Sequence, residues 1–197
     1  MGIEILGIMG SPRKGNTEIM VFEVLEGAKS KGADTETINP RSMNIKLCNG
    51  CMESEGSAAC VYDDDMREIL KTFRAADHYV MGAPVYMMHI NAVMKTFIER
   101  LYPLARYPEE PGPPYSRRDD GIIKNAVLVV TMGAPKDWAE AAGENAKSSM
   151  ETILTLEGVM VSDTIYGCQG DPAARSIQDQ EETLKKAYDA GSNLVKG

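Results

Sequence analysis

Between residues 10 and 17 the chain reads Gly10-Ser11-Pro12-Arg13-Lys14-Gly15-Asn16-Thr17, a combination suited to holding an anion. The two glycines let the backbone curl, Ser11, Asn16 and Thr17 offer donors, and Arg13 and Lys14 add positive charge. Placed between a strand and a helix, the loop also gains the unpaired N–H groups and positive dipole end of the helix N-terminus. The spacing superficially matches Gly-x4-Gly-Lys-Ser/Thr of nucleotide triphosphatases, but Asn16 stands where that loop needs its lysine. A dinucleotide fingerprint, Gly-x-Gly-x-x-Gly, is absent. What remains is a loop for a phosphate monoester held without metal, against the plainer reading of a capped turn with no ligand.

The second chemistry-bearing group is sulfur. Cys48-Asn49-Gly50-Cys51 is a Cys-x2-Cys pair, with Cys60 and Cys168 further along. Such a pair can be a redox dithiol, a zinc half-site or simply packed thiols. Four cysteines in 197 residues make no disulfide scaffold. The start, Met1-Gly2-Ile3-Glu4, lacks the basic region of an export signal, so reduced thiols in the cytoplasm are expected. His78 and His89 are too few for a His-rich metal site, and no metal ligands are assigned.

These residues must be positioned by something, and the apolar periodicity says what. Ile3 to Met9, Thr35 to Ile38, His78 to Ala83, Ala126 to Thr131 and Val159 to Tyr166 read as strands, the first and fourth apolar enough to be buried on both faces. Helical spacing marks Thr17 to Lys31, Asp65 to Ala76, Asn91 to Leu101, Trp138 to Leu156 and Gln178 to Val195. Asp65, followed three residues later by Glu68, predicts a capping box for the second helix. Strands alternating with helices imply right-handed βαβ units and a parallel sheet covered on both faces. The whole chain, 1–197, reads as one domain with an irregular insertion at 103–121, which holds five of the ten prolines and is either functional or a solvated surface loop. With 29 acidic against 21 basic residues the net charge is −8, which argues against nucleic acid as a partner. No apolar run reaches the ~20 residues of a membrane-spanning helix.

Three motifs in this order resemble the flavodoxin-like, NAD(P)H-dependent FMN reductases, a family that includes the iron–sulfur flavoproteins. The 10–17 loop resembles the family's phosphate loop. Asp64-Asp65-Met66 resembles the acids that open its second helix. Ala83-Pro84-Val85-Tyr86, with Met94-Lys95-Thr96-Phe97-Ile98-Glu99-Arg100 after it, resembles its second flavin loop and following helix. The resemblance implies a three-layer α/β fold with five parallel strands in the order 2-1-3-4-5. It implies FMN as cofactor and NAD(P)H as electron donor. The flavin would be held by Ser11, Arg13, Gly15, Asn16 and Thr17 at the phosphate, by Pro84, Val85, Tyr86 and Met87 at the ring, and by Thr131, Met132 and Gly133 at the third loop. Tyr86 serves equally as plain packing, and Met87-Met88 as core. No catalytic side chain is assigned.

Iron–sulfur flavoproteins carry a compact run of four cysteines near the pair, and Ser54 stands at the third place here. A cubane cluster takes four thiolates. In the expected strand order Cys168 lies at the opposite sheet edge, roughly 19 Å away. Two functions follow from the resemblance: an enzyme passing reducing equivalents from NAD(P)H to a flavin, quinone or other small acceptor, or a flavodoxin-like electron carrier serving protein redox partners. The 103–121 insertion, with Tyr107 and Tyr115, and the helix before it are expected to form a homodimer or homotetramer contact beside the flavin.

Overall fold

The computed structural model describes residues 2–51, 60–104, 123–169 and 176–196. Six strands and five helices alternate along them. These are β1 (Glu4–Met9), α1 (Asn16–Lys29), β2 (Asp34–Ile38), α2 (Met66–Ala75), β3 (His78–Tyr86), β4 (His89–Ile90), α3 (Ala92–Glu99), β5 (Asn125–Met132), α4 (Ala139–Leu156), β6 (Met160–Cys168) and α5 (Glu181–Leu194). Five strands run parallel in the order β2-β1-β3-β5-β6, a parallel sheet as the alternating pattern predicts and in the order that the resemblance implies. The sixth, β4, pairs antiparallel with the end of β3. Its two residues are too few to show a period. β3 also runs three residues past Ala83, with Pro84 in register with Thr131.

The period of two along the central strands divides the core. Leu6, Ile8, Tyr79, Met81, Leu128 and Val130 point to one face, where α2, α3 and α4 complete a buried cluster. Ile5, Val80, Val127, Val129 and Ile165 point to the other, against α1 and α5. Strands apolar on both faces can only sit between two helical layers. On that face α1 and α5 approach backbone to backbone. A Cβ on Gly27 would collide with the Tyr188 carbonyl, and one on Gly191 with that of Val24.

The capping box expected at Asp65 does not form. Asp65 is already helical in φ and ψ and makes no side-chain cap. Its carboxylate instead accepts from the Asn44 N–H at 2.7 Å, while neighbouring Asp64 accepts from the Met66 N–H at 3.2 Å. A competing partner on the loop after β2 has taken the capping residue. The expected insertion at 103–121 lies outside the described residues beyond Leu104, as does Ser54. Among the described residues, no helix is long and apolar enough to cross a membrane.

Candidate functional site

Three loops leave the carboxyl ends of β1, β3 and β5 side by side, because those strands are neighbours in the sheet. In a doubly wound sheet this is where ligands bind. Together they enclose a cleft of about 290 Å³. The first loop contributes Ser11, Arg13, Lys14, Gly15, Asn16 and Thr17, the second Pro84, Val85 and Tyr86, the third Thr131, Met132 and Gly133, and Gln169 closes one end. Eleven of the twelve residues expected at the site are therefore brought together. Met87 is the exception and does not line the cleft. Lys14 and Gln169 are additions; Gln169 lies beyond a strand end that periodicity alone does not extend.

The loops are tied to one another by hydrogen bonds that hold the cleft's shape. Thr17 and Thr131, both buried, share a hydroxyl–hydroxyl bond of 2.6 Å between the first and third loops. Asn91, the N-cap of α3, accepts from the Met94 N–H and donates its Nδ2–H to the Gly10 carbonyl at 2.6 Å. That bond fixes the second loop to the first. Nothing in the spacing of Asn91 hinted at this second partner. Ser11 donates its hydroxyl to the Arg13 carbonyl at 2.7 Å, and Asn16 Oδ1 accepts from the Ile177 N–H at 3.4 Å.

Of the side chains expected to meet a phosphate, Ser11 spends its hydroxyl on its own loop and Thr17 is tied to Thr131, while the Asn16 bond uses only its carboxamide oxygen. What remains for an anion is the start of α1. Gly15 caps it without any side-chain hydrogen bond, so the first-turn N–H groups have no intrahelical acceptor. Arg13 and Lys14 stand beside them. Glu18, the acid of that first turn, is drawn aside by Arg41 at 3.2 Å. Space is open at Gly15 and Gly133, where an added Cβ would meet no atom within 4 Å. Tyr86, 42% exposed, is not core packing, and His89 faces a separate groove between α3 and α4.

A model of the NADPH-dependent FMN reductase family matches residues 3–164. The chain belongs to this family. An iron–sulfur flavoprotein of Methanosarcina thermophila is 31% identical over 195 residues, covering 95% of this chain and 94% of its own. Another, from Archaeoglobus fulgidus, is 30% identical, over 98% and 79%. Among solved structures, an NAD(P)H:quinone oxidoreductase from Methanothermobacter marburgensis superposes with a TM-score of 0.72 at 21% identity, covering 98% of this chain and 100% of that one. An FMN-dependent NADH-azoreductase from Bacillus anthracis, in complex with FMN, gives 0.68 at 16% identity, covering 98% and 99%. These structures share the flavodoxin-like fold with this family member.

The cleft fits the FMN of the family's name: an uncapped helix end and two cations for a phosphate, backbone edges at Val85 and Tyr86, and open space at the glycines. The cluster named in the two iron–sulfur relatives fits less well. Cys48, Cys51 and Cys60 line a second cavity of about 400 Å³, one thiol short of four. No group of three or more cysteine, histidine or carboxylate ligands converges among the described residues. Cys168 ends β6, the edge strand opposite β2, and burial pushes its thiol pKa up, only partly offset by Lys136.

Beside the three thiols lies a buried ion pair. Arg100 holds both oxygens of Asp64, at 2.7 and 2.9 Å, donates to the Lys46 carbonyl at 2.7 Å and reaches Cys60 Sγ at 3.3 Å. Both side chains are essentially inaccessible to solvent. Burial alone would raise the Asp64 pKa, but the Arg100 fork and the N–H groups of Lys46 and Met66 win and hold it below the usual carboxylate value. The fork shapes the cysteine loop rather than the cleft.

Proposed function

We propose that this chain binds FMN in the three-loop cleft and transfers reducing equivalents from NAD(P)H to a flavin, quinone or other small acceptor. The observation that carries the reading is the uncapped start of α1, flanked by Arg13 and Lys14, at the bottom of a cleft between adjacent strand ends. Bound there, FMN supplies the two-electron chemistry between donor and acceptor.

The chain's own part is placement. First-turn N–H groups of α1 and the two cations hold the phosphate. Val85 and Tyr86 present backbone groups to the ring edge, with Pro84 stiffening the strand behind them. Thr131, Met132 and Gly133 bound the opposite side, and the Thr17–Thr131 bond keeps the two sides at a fixed separation. The ionisable groups lining the cleft are Arg13, Lys14 and Tyr86; none is assigned an acid–base role.

Residues 1–197 act as one flavodoxin-like unit in this reading. The four free thiols suit the reducing cytoplasm. The chain assembles as a homodimer or homotetramer, with α3 and the 103–121 segment walling a neighbour's flavin. Deleting residues 107–116 then lowers both assembly and turnover; a monomer at micromolar concentration with full turnover defeats that part.

The central test compares FMN with riboflavin on apoprotein. A phosphate held by the α1 terminus makes FMN bind at least about tenfold tighter; equal affinities sink the assignment. Anaerobic mixing with NADH or NADPH then separates the two functional readings. Rapid bleaching of the flavin bands supports the reductase. Bleaching that needs a partner reductase supports an electron carrier, which the net charge of −8 favours through charge-steered encounters.

A further inference from the structure

The strands β3 and β4 are joined by two residues, Met87 and Met88, with Tyr86 paired to His89 and Val85 to Ile90. Both methionines have positive φ, 50° and 63°. Positive φ at both central positions is the type I′ hairpin, which favours Asn-Gly because a Cβ is crowded there. Two consecutive methionines are a poor choice for the turn itself. Their side chains do not repay the fold by burial either: Met87 is 96% exposed and Met88 54%.

The turn is nevertheless held in place. Asn145 of α4 donates to the Met88 carbonyl at 3.1 Å, and Asn91 anchors the following residue stretch to the first loop. Met87 follows directly on Tyr86, the last residue of the second loop to line the cleft. Backbone strain kept where it costs stability, with apolar side chains held out to solvent directly after a cleft-lining tyrosine, is the pattern of a ligand contact. A thioether is flexible and packs well against flat rings.

We propose that the Met87–Met88 turn is the acceptor-facing lip of the cleft, with Met87 packing against a planar apolar ring of the quinone class. The inference rests on the flavin-reductase reading and adds the residue that selects flat, weakly polar acceptors.

The test uses the FMN-loaded protein and two variants. Met87→Asn/Met88→Gly installs the residues the turn favours, and Met87→Gln keeps side-chain length while removing the apolar contact. Four quantities are read: melting temperature, KM for menadione, Kd of a fluorescent redox-inert naphthalenesulfonate, and Kd of FMN. The double variant should melt about 3–6 °C higher. In both variants KM and the naphthalenesulfonate Kd should rise about three- to tenfold, with FMN affinity unchanged. Unchanged KM and probe affinity overturn the proposal, as does a parallel loss of FMN affinity, which would make the turn part of the flavin site. A double variant that melts no higher removes the strain on which the inference stands. A change of elution volume without a change of KM assigns the lip to subunit contact and overturns it too. If the double variant fails to fold, Met87→Gln decides alone. Failure of the underlying reading looks different: wild-type protein would take up no FMN before any variant is compared.

Discussion

Asn16 begins α1 with its carboxamide oxygen taken by the Ile177 N–H. Replacing it with Asp keeps that acceptor but sets a negative charge among the first-turn N–H groups. Without ligand the charge suits the helix dipole, so the melting temperature should hold or rise slightly. With a phosphate dianion in place, like charges meet, and FMN binding should weaken by about 1–3 kcal/mol. Titration of apoprotein with FMN, beside a thermal melt, reads both signs; undiminished affinity would move the phosphate elsewhere. Asp64 gives a pH prediction. Its folded pKa lies below the ordinary 3.8, so the pair's stabilisation is complete above that value and is lost as pH falls through the lower folded one. Acid unfolding of wild type should therefore have a steep limb below pH 4 that Asp64→Asn lacks. Arg100→Ala, which strands a buried carboxylate, should cost about 3–5 kcal/mol in denaturant unfolding at neutral pH. The loop residues of the site were legible because glycine, hydroxyl and cation in sequence have few other uses. The pairing of Arg100 was not, since its partners Asp64 and Lys46 lie 36 and 54 residues away and no local pattern links them.

At the scale of elements, apolar runs alternating with amphipathic helices implied a parallel sheet covered on both faces, while the order of its strands came from the family resemblance. β4 escaped notice because two residues carry no period, and Asp65 misled because its capping competence was spent on Asn44. The contact between α1 and α5 was equally silent: Gly27 and Gly191 each look like an ordinary helix weakness until the other helix is in view. Gly191→Ala should destabilise the fold by about 1–3 kcal/mol, because the obstacle is the Val24 carbonyl and not a side chain that can turn away. Urea unfolding of that variant checks it, and Gly15→Ala, with open space around it, serves as the comparison expected to change little. The Thr17–Thr131 bond makes a further double test. Thr131→Val leaves a buried Thr17 hydroxyl without its partner and should cost about 1–3 kcal/mol, while changing both residues to Val should recover part of the loss.

For the whole molecule, family and fold agree, and the cysteine loop brings three thiols, Cys48, Cys51 and Cys60, to one cavity. Purified protein should carry flavin absorption and less than stoichiometric iron; four irons per chain by metal analysis would mean that a fourth ligand joins the three thiols from outside their cavity. The sheet order has one more consequence, for synthesis. Of the strands in the sheet β1 is made first but lies between β2 and β3, and the loop after it needs a partner 114 residues later, at Thr131. At roughly 5–20 residues per second, Thr17 waits about 6–23 seconds for that hydroxyl. The α1 end of the cleft is thus made early and its far wall late, so the cleft is complete only after the fourth parallel strand has left the exit tunnel.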